Sequence, residues 1–261
     1  MKLNKISLFS FSPKTYFIII LLLFIVSFIG LFIPIMEVDA TQYASMSLEL
    51  LQSNSLLQFT DLGKDYLDKP PLLFWVSSFF ISLFGNTTIA YKMGSFILAW
   101  CSVYFLYRFV LLFYKKTTAQ LASIIYAGNV AFVLFTNDIR TDTLLISFVV
   151  LAVWQYAQYL KTYKISSLIL ASVAVGLAML AKGPIGLVVT ALAIVPHIFL
   201  TSNYKAIFTW KVLLIPIIII AVLSPMLLGL HQQFGMHGIR FYFWEQSFGR
   251  ITGENVWQND A

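Results

Sequence analysis

The 261-residue chain is 59% hydrophobic and 16% aromatic but only 11% charged, less than half the roughly 25% charge of a soluble domain. That balance excludes an ordinary water-soluble fold and makes the bilayer the solvent in which every backbone group must be satisfied. Seventeen basic residues against eleven acidic ones leave a net charge of +6. The cations are scattered singly between apolar runs, which argues against a nucleic-acid patch and fits the cytoplasmic lysine excess of membrane proteins.

The apolar runs are continuous rather than alternating, so helices are favoured over a barrel and the expected fold is an all-α polytopic membrane protein. A disulfide framework is excluded because Cys101 is the only cysteine. The first run, 15–35, is too long for the roughly 7–15 apolar residues of a signal peptide and carries no small-residue cleavage site, so it reads as a retained helix.

Crossing the hydrocarbon core takes about 20 apolar residues. By that measure the predicted spans are 15–35, 88–113, 118–136, 143–160, 165–181, 184–200 and 212–230, seven in all. One further run, Pro70 to Phe84, has 15 residues and opens on two prolines. Charge decides whether it spans. With 70–84 left at the surface and the N-terminus inside, Lys2, Lys5, Lys14, Lys115, Lys116, Lys161, Lys164, Lys205 and Lys211 all face the cytoplasm, as the positive-inside rule requires. The same count sends Glu37, Asp39, Glu49, Asp61, Asp65, Asp68, Asp138, Asp142, Glu245, Glu254 and Asp260 to the outer face. Chemistry is therefore expected on the outer loop 36–87, the turn 137–142, the Lys-Gly-Pro turn at 182–184 and the stretch from His231. Residues 1–261 read as one membrane module, expected to be the N-terminal part of a longer protein.

In chain order, the first candidates lie in Glu37-Val38-Asp39-Ala40-Thr41-Gln42-Tyr43-Ala44. Asp39 is placed to accept a proton from a hydroxyl near an aromatic ring, or, alternatively, to cap the following helix. Glu49 follows ten residues later, about three helical turns along and near the same face. In Asp68-Lys69-Pro70-Pro71 a lysine beside a rigid diproline either binds a lipid phosphate or snorkels to anchor an interfacial helix. Asn137-Asp138-Ile139-Arg140-Thr141-Asp142 packs two acids and an arginine at a membrane end, a functional candidate or a structural ion pair. Lys182 is unexpected on an outer turn. The last stretch holds His231, His237, Arg240, Glu245 and Arg250, and an arginine there suits a phosphate. The three histidines form no metal motif, and no Walker loop, Rossmann fingerprint, nucleophile elbow or HExxH is present.

Taken together and in this order, VDATQYA, DKPPLLFW, NDIRTDTLL and LAKGPIG resemble the GT-C glycosyltransferases. The similarity is to the dolichyl-phosphate-mannose protein mannosyltransferases and their bacterial relatives that transfer 4-amino-4-deoxy-arabinose to lipid A. It covers most of 35–250. Where that family has Asp-Glu in the first loop, this chain has Asp39 followed by Ala40, with Glu37 available from the other side. The resemblance implies catalytic roles for Asp39 and Asp142, and contacts from Lys69, Arg250 and Arg140 to the phosphate of a lipid carrier. It also implies a possible divalent metal near Asp68 and Glu245, with Glu37, Tyr43, Glu49 and Lys182 as supporting residues. It further implies a polyprenyl-phosphate-linked sugar donor, a lipid, glycan or protein acceptor, transfer with inversion, and a bacterial inner membrane with the site on the periplasmic face.

Two other classes compete. A secondary transporter would carry charges near the midplane and an internal repeat. Lys92 and Arg108 are the only charges inside the predicted spans, each near an end, and no repeat is present. A non-catalytic membrane subunit would not need acids and bases gathered on one face.

Overall fold

The computed structural model describes residues 12–35, 37–53 and 55–249. The first helix, α1 (Pro13–Gly30), starts where Ser12 accepts the Thr15 amide and Pro13 supplies a preset φ. After a connection comes α2 (Val38–Gln52), then a minimal hairpin of β1 (Thr60–Asp61) and β2 (Lys64–Asp65). The hairpin pairs antiparallel, with Thr60 opposite Asp65 and Asp61 opposite Lys64. Its turn residues Leu62 and Gly63 both have positive φ, 51° and 76°, the geometry that matches the twist of two short strands.

The apolar run after the diproline forms α3 (Leu72–Phe84), 13 residues and therefore about 20 Å long, short of the roughly 30 Å hydrocarbon core. It packs on α2 and on α4 (Thr88–Leu111), as expected of a segment that does not span. Next come α5 (Lys116–Ala127), α6 (Val130–Thr136), α7 (Thr141–Thr162), α8 (Ile165–Lys182), α9 (Ile185–Leu200) and α10 (Leu214–Arg240). The centre of the bundle is α8 against α7, α9 and α10. Small buried residues Ala171, Ala174, Gly176, Ala178 and Ala181 on α8 let backbones approach closely, which is how helices gain dispersion energy in lipid.

All seven predicted apolar runs are helical, with three corrections. Among the described residues five helices are long and apolar enough to cross a membrane, or six with a bent pair counted as one. That pair is the predicted span 118–136, which breaks into α5 and α6 with a 59° bend. The break falls at Gly128-Asn129, where the Asn129 side chain accepts the Ala131 amide at 2.7 Å and restarts the helix. The predicted 184–200 span is the 16-residue α9 with Pro196 inside, somewhat short for a crossing. Finally, the stretch from His231 continues α10 to Arg240 and then a π-helical segment, Phe241–Gly249. A backbone break at Gly235, φ 63°, bends it.

The bundle has two chemically distinct ends. At one, Lys161 donates to the Leu112 carbonyl, Lys211 to Tyr163 at 3.1 Å, and Asn203 to Leu160 at 3.0 Å, so the connections after α4, α7 and α9 meet there. At the other end the α1–α2 connection, the α6–α7 turn and the α8–α9 turn come together with the predicted carboxylates. The chain is an integral membrane protein.

Candidate active site

The acidic end is built from four chain segments. Glu37 is the N-cap of α2 and makes no side-chain cap bond, and Asp39 lies in the first turn. Asp39 is exposed and its carboxylate has neither a hydrogen bond nor an ion pair among the described residues. The capping alternative therefore does not describe it: no side chain caps this helix, and the local hydroxyl bond is made by Thr41, to the Val38 carbonyl at 2.6 Å.

One turn further along α2, Tyr43 is buried, 4% exposed, and its ring meets Phe74 edge-on at 5.9 Å. Burial raises its phenol pKa, and the negative charges of Asp39, Asp68, Asp142 and Glu37 raise it further. One phenol thus feels acids from the first outer segment, the diproline loop and α7. Tyr66, which sequence reasoning passed over, behaves alike: burial dominates, followed by Asp68, Tyr43, Asp61 and Asp39. Its only sequence signal is an aromatic two residues before Asp68.

The diproline loop presents Lys69 with its ammonium 2.5 Å from Asp68, each side chain 17% exposed. Gln246 of the π-helical segment donates to the Asp68 carbonyl, and Tyr242 donates to Met179 on α8 at 3.1 Å. Lys69 also lines a narrow crevice with Tyr66, Pro71, Gln233 and Tyr242. A lysine bridging loop and crevice in this way is held in place, which a freely snorkelling anchor is not.

Lys182, unexpected on this face, closes the last turn of α8 and lies 2.5 Å from Asp142 in the first turn of α7. Gly183, at φ 85°, then turns the chain into α9, a conformation glycine adopts without strain.

Arg140, expected at the carrier phosphate, is engaged by carboxylates in this structure. Its guanidinium pairs with Glu37, its Nε stands 3.6 Å from Asp138, and it lies 5.4 Å from the Phe135 ring centroid. It braces the α6–α7 turn against the start of α2. Burial raises the Asp138 pKa above its ordinary range. Glu37 raises it further, while the Ile139 amide at 2.9 Å and the Arg140 charge pull it down.

Glu49 is neither a solvated carboxylate nor part of this cluster. It accepts the Thr60 hydroxyl and the Leu62 amide, each at 2.8 Å, and so anchors the hairpin. Asp61 accepts Gln42 and Asp65 accepts Gln233, both at 2.6 Å, which fixes the hairpin between α2 and α10.

The metal expectation finds little support in the donor set. Asp68 is held by Lys69, Glu245 stands 3.5 Å from Arg240, and among the described residues no three of His, Cys, Asp and Glu come together as metal ligands. Arg250 lies outside the described residues.

A predominantly helical membrane bundle thus gathers open and lysine-paired carboxylates at one end. The chain belongs to the dolichyl-phosphate-mannose-protein mannosyltransferase family, whose model matches residues 68–228. Its relatives include the undecaprenyl phosphate-α-4-amino-4-deoxy-L-arabinose arabinosyl transferase of Pseudomonas savastanoi pv. phaseolicola, 25% identical over 88% of this chain and 43% of that protein. The enzyme of the same name from Wigglesworthia glossinidia brevipalpis is 27% identical over 77% of this chain and 36% of its own length. Among solved structures, ArnT from Cupriavidus metallidurans bound to undecaprenyl phosphate superposes with a TM-score of 0.80 at 14% identity, over 90% of this chain and 45% of that one. Its apo state gives 0.79 at 15% identity, over 88% and 44%. The chain spans less than half the length of these relatives.

Proposed function

We propose that this chain forms the membrane-embedded catalytic half of a GT-C glycosyltransferase that takes its sugar from a polyprenyl phosphate and passes it to a lipid, glycan or protein acceptor. The observation that carries the reading is the Asp39 carboxylate, open and unpaired, one helical turn from a buried Tyr43 that also feels Asp68, Asp142 and Glu37. In the reaction, the acceptor nucleophile attacks the anomeric carbon while the bond from that carbon to the phosphate oxygen breaks, with inversion. The electron pair leaves with the polyprenyl phosphate. Asp39 takes the proton of the acceptor. Lys69 stabilises the departing phosphate, the usual task of a positioned cation in a low-dielectric site, while Lys182 orients Asp142. Arg140 serves as the brace between α2 and α7. The binding of undecaprenyl phosphate by a structural relative supports the choice of carrier. Membranes containing the full-length protein should consume radiolabelled undecaprenyl-phosphate-linked 4-amino-4-deoxy-arabinose; the absence of release from this donor and from other polyprenyl-phosphate sugars would end the proposal.

Charge supports an orientation with the acidic end in the periplasm. Lysines at the end formed by 112–116, 161–164 and 203–211 suit the cytoplasm of a bacterial inner membrane. Cysteines introduced at Asp65 or Asp142 in a Cys101→Ser background should react with a membrane-impermeant thiol reagent from the periplasm, and one at Lys116 should not.

A further inference from the structure

Among the described residues Lys92 is the one charged side chain that is fully buried, at 0% exposure. It sits in the second turn of α4 and donates to the Ile33 carbonyl at 2.6 Å, just beyond the end of α1. Among the described residues it forms no ion pair within 4 Å. A buried ammonium served by one neutral carbonyl is poorly compensated, so the long-range charges around it matter. Asp138, on the α6–α7 turn, is an acid whose charge acts on it. The two sides of this junction are also in close contact elsewhere: a methyl group added at Gly30 would overlap the Asn137 amide. Three elements therefore converge on Lys92, namely the α1–α2 connection, α4 and the α6–α7 turn.

We propose that Lys92 is a positioning residue: its hydrogen bond holds the α1–α2 connection that leads into Asp39 in the first turn of α2, and its charge balances the Glu37 and Asp138 pair together with Arg140. The inference rests on the reading of Asp39 given above. The charged groups facing Asp138 are Glu37 from the α1–α2 connection, Arg140 from its own turn and Lys92 from α4. Two acids and two bases make a neutral cluster. Removing the ammonium leaves an excess negative charge in a partly buried setting, which Asp138 relieves by taking up a proton. Asp138 would then release Arg140, and the turn that Arg140 braces against the entry to α2 would shift. Each residue has a separate duty here. Arg140 ties the turn to α2 directly, whereas Lys92 ties α4 to the chain before α2 and supplies positive charge on the Asp138 side.

The test uses two substitutions in the full-length protein. Lys92→Arg keeps charge and donor; Lys92→Gln keeps an amide donor for Ile33 and removes the charge. The first readout needs no activity: the infrared carboxyl band assigned to Asp138 by its loss in Asp138→Asn is titrated. In Lys92→Gln its midpoint should rise by on the order of one pH unit, and in Lys92→Arg it should stay near wild type. The second readout is transfer from undecaprenyl-phosphate-linked 4-amino-4-deoxy-arabinose. Lys92→Gln should lower kcat by at least about tenfold with the donor KM unchanged, the mark of a residue acting on the chemical step. An unshifted Asp138 band in Lys92→Gln overturns the proposal. If Lys92→Gln fails to fold, Lys92→Gln/Asp138→Asn should restore folding, and failure to do so overturns it equally. Wild-type protein that transfers no sugar would instead remove the proposed function, while the infrared titration would still decide the role of Lys92.

Discussion

The Lys182 ammonium lies 2.5 Å from an Asp142 carboxylate oxygen, joining the last turn of α8 to the first turn of α7 across forty residues of sequence. Each side chain is about a third exposed, 38% and 34%. A pair so wet contributes at most about 1 kcal/mol to stability. Lys182→Met should therefore melt within a few degrees of wild type, yet lose transfer activity because Asp142 is no longer oriented. Asp142→Asn combined with Lys182→Met should be no slower than Asp142→Asn alone, as expected of residues acting as a unit. Additive losses in steady-state kinetics would separate the two roles.

Asp39→Asn removes a negative charge without breaking any hydrogen bond made by that side chain among the described residues. Turnover should fall by a factor on the order of 10²–10⁴, the usual contribution of general acid-base catalysis, with the melting temperature little altered. Full transfer by a folded Asp39→Asn protein would remove the proposed base.

Lys69→Ala should act on the carrier. With the cation beside the diproline removed, binding of undecaprenyl phosphate, followed by isothermal titration, should weaken by roughly tenfold or more, in line with about 1.5–3 kcal/mol for a hydrogen bond to a charged group. Unchanged affinity would mean that Lys69 only pairs with Asp68.

Asp138 gives the fold a pH signature with a definite sign. Its folded-state pKa is raised, chiefly by burial, so between the ordinary carboxylate range and the raised value the native protein holds more protons than the unfolded chain. Stability then falls as pH rises through that window. Wild type should gain melting temperature on mild acidification relative to Asp138→Asn, and parallel curves for the two proteins would refute the assignment.

The partition of lysines and acids was readable in the sequence because it depends on the order of charges and apolar runs alone, and the two ends of the bundle carry it. The short α3 was also readable, since a 15-residue run that opens on two prolines is short for a crossing. Pairings over distance were not. Nothing near Glu49 indicates that it will hold a hairpin of two-residue strands, which is too short to show alternation. Lys92 looked like an ordinary charge at the end of a span, and only the packing of three elements around it shows that it is enclosed. Arg140 has two acids within three residues in the sequence, Asp138 and Asp142, but it is Glu37, about a hundred positions away, that takes its guanidinium.

The bend between α5 and α6 acts as a lever. The α6 arm has seven residues, about 10 Å of helix, and swinging it through 59° carries its far end sideways by on the order of 10 Å. That sideways reach delivers Asn137 to Gly30 and Arg140 to Glu37. A straight helix would leave the same turn stranded over its own axis. The aim of the arginine is thus set eleven residues upstream, by a single asparagine whose side chain restarts the helix in a new direction.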